Sequence, residues 1–287
     1  ILTVYINKNL RTSTNYFIVS MSVSDILFPL MILLRDYLLV VDRNHLFLPK
    51  LVGEVICRLM SFMCEVSYSV SMLTLVAITV YRFSAVVFPI RARVQNKKKR
   101  LLVLLLTWVI SVVMFSPGLV NSMYRIQDKT CILALYTEQS RIWFLALRIL
   151  LLFLPLLIML VLYPLIIIRL RQHNVPGNVN SLQAVIRRKK RNFRLTIMFI
   201  VITVAFLLSW VPYSMSWVIL VTFVSLDWCA LYFVLDITQF NVLVFVAFYP
   251  VIYFIFCSSF RQGFKNIFLS FCSSRRRPQV PTADNFN

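Results

Sequence analysis

Six long apolar runs constrain this chain more than any other feature: near Asn15–Leu34, Leu59–Val80, Leu101–Tyr124, Ile142–Ile168, Leu195–Leu226 and Leu231–Phe256. Crossing roughly 30 Å of hydrocarbon takes about 20 apolar residues in a helix. A backbone in lipid must also satisfy its own hydrogen bonds, which a helix does within one segment. Each run is therefore expected to be a membrane-spanning helix. Composition agrees, because hydrophobic residues make up 60% of 287, charged residues 14%, and the mean hydropathy is +0.82. A water-soluble domain with those values would not stay in solution.

The chain opens ILTVYINKNLRT, a few apolar residues followed by a basic turn. This reads as the last turns of a helix that begins before Ile1, so the expected fold is an all-α seven-helix membrane bundle with six full spans and most of the first helix missing. The bundle is expected over residues 1–258, a short amphipathic cytoplasmic helix over 259–272 and a disordered cytoplasmic tail over 273–287.

Lys and Arg orient it. One set of connections and ends holds Lys8 and Arg11, the stretches Arg82–Arg100 and Arg169–Arg194, and the tail from Arg261 to Arg277, together 22 of the 30 basic residues. That side is expected to be cytoplasmic. The net charge of +20 is accounted for by these loops facing anionic lipid, and no nucleic-acid partner is expected. The connection His173–Ala184, containing NVPGNVNS, reads as a flexible inner turn.

Cys57 at the outer start of the second run and Cys131 in the outer loop Asn121–Arg141 both lie in an oxidising compartment. A disulfide joining them would pin that loop over the bundle. Cys64 and Cys229 read as small buried apolar residues. Cys272, after the amphipathic segment Ser259–Phe271, is a candidate for palmitoylation.

Several motifs now fall into order. LRTSTNYFIVSMSVSD ends in a mid-membrane acid, Asp25; Cys57 is followed 25 residues later by YRF, with Arg82 at its centre. Trp108 marks the third run, Pro155 and Tyr163 the fourth, SWVPY with Trp210 and Pro212 the fifth, and YPVIY with Pro250 and Tyr253 the last. In this order and spacing the chain resembles the rhodopsin-like (class A) G-protein-coupled receptors over nearly all its length, and its early spans look most like the neuropeptide-receptor branch. The resemblance implies a plasma-membrane receptor that binds an extracellular ligand and activates a heterotrimeric G protein by opening its cytoplasmic face. The alternative is an uncoupled or decoy relative, because YRF, SWVPY and YPVIY each depart from the commonest pattern.

What the resemblance implies for single residues is specific. At the cytoplasmic face, Tyr81, Arg82, Phe83, Tyr163 and Tyr253 would meet the G protein, with Pro89 and Ile90 docking from the adjoining loop. The usual acid before the arginine is Tyr81 here, and RRKKRNFR at Arg187–Arg194 contains no acid. Loss of both restraints predicts raised basal signalling. The switch would comprise Asp25, Ser71, Phe206, Trp210, Pro212, Tyr249 and Pro250. A carboxylate at mid-bilayer costs a few kcal/mol by insertion scales and needs a partner, for which Ser71 is the candidate. Phe245 and Tyr249 replace polar residues that help hold sodium in the family, which argues against a sodium site and predicts a Tyr249–Asp25 hydrogen bond.

On the outer side, Glu65 lies 17 residues before Arg82, about 25 Å along one helix. Glu65 and Arg148 are costly alone in the membrane, so they face each other or a polar ligand. Phe206, Trp210, Tyr213 and Trp217 share a helix face, and Pro212 marks a kink there. Tyr68, Tyr213 and Trp217 join Glu65 and Arg148 as candidate ligand contacts, with Arg35, Asp236 and Gln239 widening the polar rim. The last helix, Cys229 to Cys257, has no lysine for a retinal Schiff base, and no cofactor or metal is expected. Cys64 stands where amine receptors carry an aspartate. A peptide is therefore favoured, with a lipid or other small ligand left open.

Transporters show repeats and glycine-broken helices, yet all four glycines lie near ends or loops. His45 and His173 fall on opposite sides outside the runs and the acids are dispersed, so no enzyme is expected. Ser270, Ser273, Ser274 and Thr282 offer a tail for receptor kinases and arrestin.

Overall fold

The computed structural model describes residues 13–44, 50–88, 97–125, 130–133, 137–172, 179–222, 228–256 and 261–265. Its helices are α1 (Ser13–Asn44), α2 (Lys50–Val87), α3 (Lys97–Phe115), α4 (Gly118–Asn121), α5 (Glu138–Gln172), α6 (Val179–Thr222) and α7 (Trp228–Phe256); strands β1 (Ser122–Arg125) and β2 (Thr130–Leu133) lie between α4 and α5. Among the described residues, five helices, α1, α2, α5, α6 and α7, are long and apolar enough to cross a membrane by length and composition. The remaining long helix, α3, opens on Lys97–Arg100 and stops at Phe115, so its apolar part is short.

That stop corrects the third predicted span. Leu101–Tyr124 does not continue as one helix: Ser116 and Pro117 form a turn, α4 adds a single turn, and the chain then becomes β1. Pro117 explains the break, because proline disfavours helical backbone in the residue before it and lacks an N–H of its own. The strands pair antiparallel, with Ser122 opposite Leu133 and Tyr124 opposite Cys131. Among the described residues, an otherwise helical fold thus carries a two-stranded hairpin.

At the inner side, α6 begins at Val179, within the stretch read from sequence as a turn. Leu182, Gln183, Ala184 and the following basic residues are good helix formers, so the helix extends through RRKKRNFR. Residues 173–178 lie outside the described residues.

The 38-residue α2 is about 57 Å long at 1.5 Å per residue, and it is the hub of the bundle. It packs on α1, α3, α4, α5, α6 and β1, while α7 packs mainly on α6. Serines let α1 and α2 approach closely. Ser67 donates to the Ser24 carbonyl, Ser24 and Ser71 hydroxyls lie 2.7 Å apart, and Ser71 donates to Asp25 Oδ1 at 2.7 Å. Farther along, Ser111 of α3 donates to Ser69 at 2.9 Å, and Trp108 Nε1 donates to Ser20 at 3.1 Å. The outward faces are apolar, as with Phe153, Leu157 and Leu160 on α5, which suits lipid and not water.

The hairpin sits against the outer end of α2. A Cβ on Gly53 would meet the Tyr124 ring at 2.7 Å, so only glycine leaves room there. Cys57, one helical turn further, is disulfide-bonded, whereas Cys64 is free and buried. Of the predicted amphipathic helix, residues 261–265 are helical, and Phe264 rests edge-on against Phe254 with ring centres 5.1 Å apart. Cys272 and the tail serines and threonine lie outside the described residues.

Candidate functional site

The helix packing brings Glu65 of α2 and Arg148 of α5 into a salt bridge in which Arg148 Nη2 donates to Glu65 Oε1. The Arg148 side chain is 0% exposed and that of Glu65 17%. Four rings surround the guanidinium: Tyr68 at 5.4 Å, Phe144 at 5.2 Å, Tyr213 at 5.6 Å and Trp217 at 5.9 Å from their centres. Ring faces carry partial negative charge and attract a cation within about 6 Å. The pair is thus held by one carboxylate and an aromatic cage, since Glu65 Oε2 and Arg148 Nε and Nη1 are buried without hydrogen-bond partners.

Glu65 opens onto an outer cavity with about 870 Å³ of empty space, its open mouth included. Arg35, Tyr213 and Trp217 also line it, whereas Tyr68 sits beneath, fully buried. Arg35 is occupied by its neighbour: its Nε donates to Asp36 Oδ1 at 3.0 Å, and Nη2 lies 2.9 Å from the same oxygen. Asp236 is exposed on α7, and neither it nor Gln239 lines this cavity. The structure therefore gathers Glu65, Arg148, Tyr68, Tyr213, Trp217 and Arg35 in one region and leaves Asp236 and Gln239 outside it.

Below the cavity an aromatic column runs inward. Trp210 has its ring centre 4.8 Å from Phe28 and from Tyr68, 5.7 Å from Tyr213, and stacks on Phe206 at 5.6 Å. Pro212 lies inside α6 next to this column. At the level of Asp25, the sequence-based hydrogen bond from Tyr249 is not formed. Asp25 accepts from Ser71 instead, and the buried Tyr249 hydroxyl has no bond to it. α7 packs mainly on α6 and much less on α1, the helix that carries Asp25.

At the inner end Arg82 lies over the Phe199 ring of α6, 5.1 Å from its centre. Tyr81 turns the other way, onto Phe17 of α1 at 4.8 Å. Tyr163 of α5 joins three helices: its hydroxyl is 3.1 Å from Thr79 Oγ1, 3.0 Å from Thr203 Oγ1, and donates to the Phe199 carbonyl at 3.4 Å. Phe83 meets Phe88 edge-on at 6.4 Å, and Tyr253 is buried. Pro89 and Ile90 lie outside the described residues. An outer charged cavity, an aromatic column beside a proline, and an inner arginine are thus connected along α2 and α6.

Residues 1–253 match the family model described as 7 transmembrane receptor (rhodopsin family). The chain belongs to this family. It is accordingly a multi-pass membrane receptor and not an enzyme. Similar proteins include a cholecystokinin receptor of Xenopus laevis, 36% identical over 42% of this chain and 26% of that receptor. A tachykinin-like peptides receptor 86C of Drosophila melanogaster is 31% identical over 40% of this chain and 22% of its own length. A gastrin/cholecystokinin type B receptor of Rattus norvegicus is 38% identical over 41% and 25%. The matched part thus spans about a quarter of the length of these relatives.

Phe28, Phe144, Phe199 and Asn241 are among the residues of this receptor's site that escaped the sequence reading. Phe144 precedes Arg148 by one helical turn, a spacing that puts both on one face. Phe199 continues the column face, seven residues before Phe206 and fourteen before Tyr213. Asn241 has no comparable signal, because its partners are backbone carbonyls of another helix.

Proposed function

We propose that this receptor binds an extracellular peptide in the cavity above Glu65 and activates a heterotrimeric G protein through its inner face. The observation that carries the proposal is the Arg82–Phe199 contact between α2 and α6. It lies at the inner end of the helix whose outer half carries Pro212 and two cavity residues, Tyr213 and Trp217. A ligand that shifts those aromatics can swing the inner half of α6 about Pro212 and uncover Arg82. Arg82, Tyr163 and Tyr253, with Phe83, Pro89 and Ile90, are the proposed G-protein contacts.

Peptides are supported as ligands by the receptors for tachykinin-like peptides and cholecystokinin among the relatives. The proposed setting is the plasma membrane with the C-terminus cytoplasmic. A Cys57–Cys131 disulfide, palmitoylation of Cys272 and phosphorylation of the tail ahead of arrestin binding belong to the same proposal. The disulfide reading is supported by Cys57 being disulfide-bonded and by Gly53, one turn before it, lying against Tyr124, the register partner of Cys131.

The test is guanine-nucleotide exchange in membranes, comparing wild type with Arg82→Ala, without ligand and with cholecystokinin or a tachykinin-like peptide. Exchange that depends on Arg82 is expected. Equal exchange by both proteins, or none under any condition at matched surface expression, would overturn the coupling.

A further inference from the structure

Pro117 stops α3 at Phe115, and Ser116 Oγ donates at 2.9 Å to the Val113 carbonyl, the one that this proline leaves without a helical N–H. Among the described residues α3 packs closely on α2 and less on α1, and its packing on α5 is weaker than either. What spans the gap between α3 and α5 at this level is Trp143, whose Nε1 donates to the Met114 carbonyl at 3.4 Å.

Trp143 belongs to two surfaces at once. It lines the outer cavity beside Met114, Phe115, Gly118 and Leu147, yet it is 49% exposed. That exposure is of the lipid-facing kind. Trp143, Ala146, Leu150, Phe153 and Leu157 are all exposed and recur at steps of three and four along α5, whereas Phe144, Leu147 and Leu151 on the other face are buried. One side chain thus separates the cavity from the bilayer. Next to it, a Cβ on Gly118 would meet no atom within 4 Å, which marks open space at the seam.

From this we infer a lateral portal between α3 and α5, latched by Trp143, through which the hydrocarbon chain of a bilayer amphiphile reaches the outer cavity. What passes this seam comes from the membrane, because the stripe that Trp143 heads faces hydrocarbon. Inside, Met31, Met60, Met114, Phe115 and Leu147 give an apolar lining that adapts to a flexible chain. Moving a chain from lipid to that lining exchanges one apolar surrounding for another, so occupancy rests on the dispersion contacts that fill the cavity. This entrance is additional to the outward mouth and does not depend on the peptide reading.

The test uses the purified full-length receptor in nanodiscs of phosphatidylcholine, a fraction of which carries a diazirine midway along one acyl chain. After photolysis, labelling is read residue by residue by mass spectrometry, with the exposed Val113 and Leu150 as references. Label is expected on the buried cavity residues Phe115 and Leu147. Trp143→Ala should raise it about fivefold relative to the references, the scale of one net hydrogen bond. Trp143→Phe, which keeps a ring but not the N–H, should raise it less. Gly118→Leu, which enters open space and improves helix propensity, should reduce it to background. Unchanged labelling of the references marks each variant as folded. Label confined to Val113 and Leu150 in both wild type and Trp143→Ala overturns the portal, as does label on Phe115 and Leu147 that Trp143→Ala or Gly118→Leu leaves unchanged. No G protein takes part, so failure of coupling and failure of this inference are separable.

Discussion

Asn241 of α7 donates its side-chain amide to the Leu208 carbonyl of α6 at 3.1 Å, with the Ser209 carbonyl 3.4 Å away. Leu208 is four residues before Pro212, so its carbonyl is the one that proline leaves without a helical N–H. A side chain on a neighbouring helix therefore satisfies the kink and ties the two helices together where bending is easiest. Ser216 and Thr238, with hydroxyls 3.1 Å apart, reinforce the same seam one turn outward.

Asn241→Leu keeps the volume and removes the donor. The expected cost is about 1 kcal/mol, the net worth of a typical hydrogen bond. It should appear as a lower unfolding midpoint of the purified receptor and as higher ligand-free nucleotide exchange. An unchanged midpoint would show that water replaces the amide without loss.

Arg82, preceded by Tyr81 instead of an acid, lies over the Phe199 ring. A cation over a ring contributes on the order of 1 kcal/mol, which corresponds to about a fivefold shift between resting and active populations. Phe199→Leu should therefore raise basal exchange by about that factor, and Phe199→Tyr should not. Tyr81→Asp, which supplies an acid, should lower it. If basal exchange is indifferent to both Phe199→Leu and Tyr81→Asp, the inner face is held by other contacts.

For the buried pair, loss of one partner strands a charge, at about 3–5 kcal/mol. Arg148→Met should sharply reduce surface expression, and adding Glu65→Gln should restore most of it. Exchanging the two charges should restore less, since the new carboxylate would face the negative faces of Tyr68, Phe144, Tyr213 and Trp217. Full recovery by the exchange would mean that the rings contribute little.

At the outer end, Gly53→Ala is expected to displace the hairpin through Tyr124 and to cost about 1–3 kcal/mol by overpacking. Tyr124→Ala should relieve it. If Cys57 and Cys131 are joined, Cys57→Ser and Cys131→Ser should each lower the unfolding midpoint, and the double variant should be no worse than either. Additive losses would separate the two cysteines.

Much of the fold is legible in the chain because lipid leaves few choices. The runs at Asn15–Leu34, Leu59–Val80 and Leu231–Phe256 become helices, as length and apolarity require. The break is readable in principle from Ser116-Pro117-Gly118, but the long apolar run that precedes it hides it. The inner start of α6 was obscured by NVPGNVNS, whose turn chemistry outweighed the helix formers that follow. Glu65 and Arg148 stood out as charges at membrane depth, and Phe206, Trp210, Tyr213 and Trp217 by their spacing.

By itself, then, the sequence determined the helices, the family and the charged residues that membrane burial obliges to find partners. Ser71 is already the candidate for Asp25 in the sequence; tertiary structure alone decided the cage around Arg148, that Tyr249 does not bond Asp25, Phe199 under Arg82, and Asn241 on the Leu208 carbonyl. Helix formation is local, governed by backbone hydrogen bonds within one segment. Phe144 apart, which lies one turn from Arg148, these contacts join residues 33 to 117 positions apart in the chain, and which faces meet is set by the packing of serine-lined and aromatic surfaces over the whole bundle.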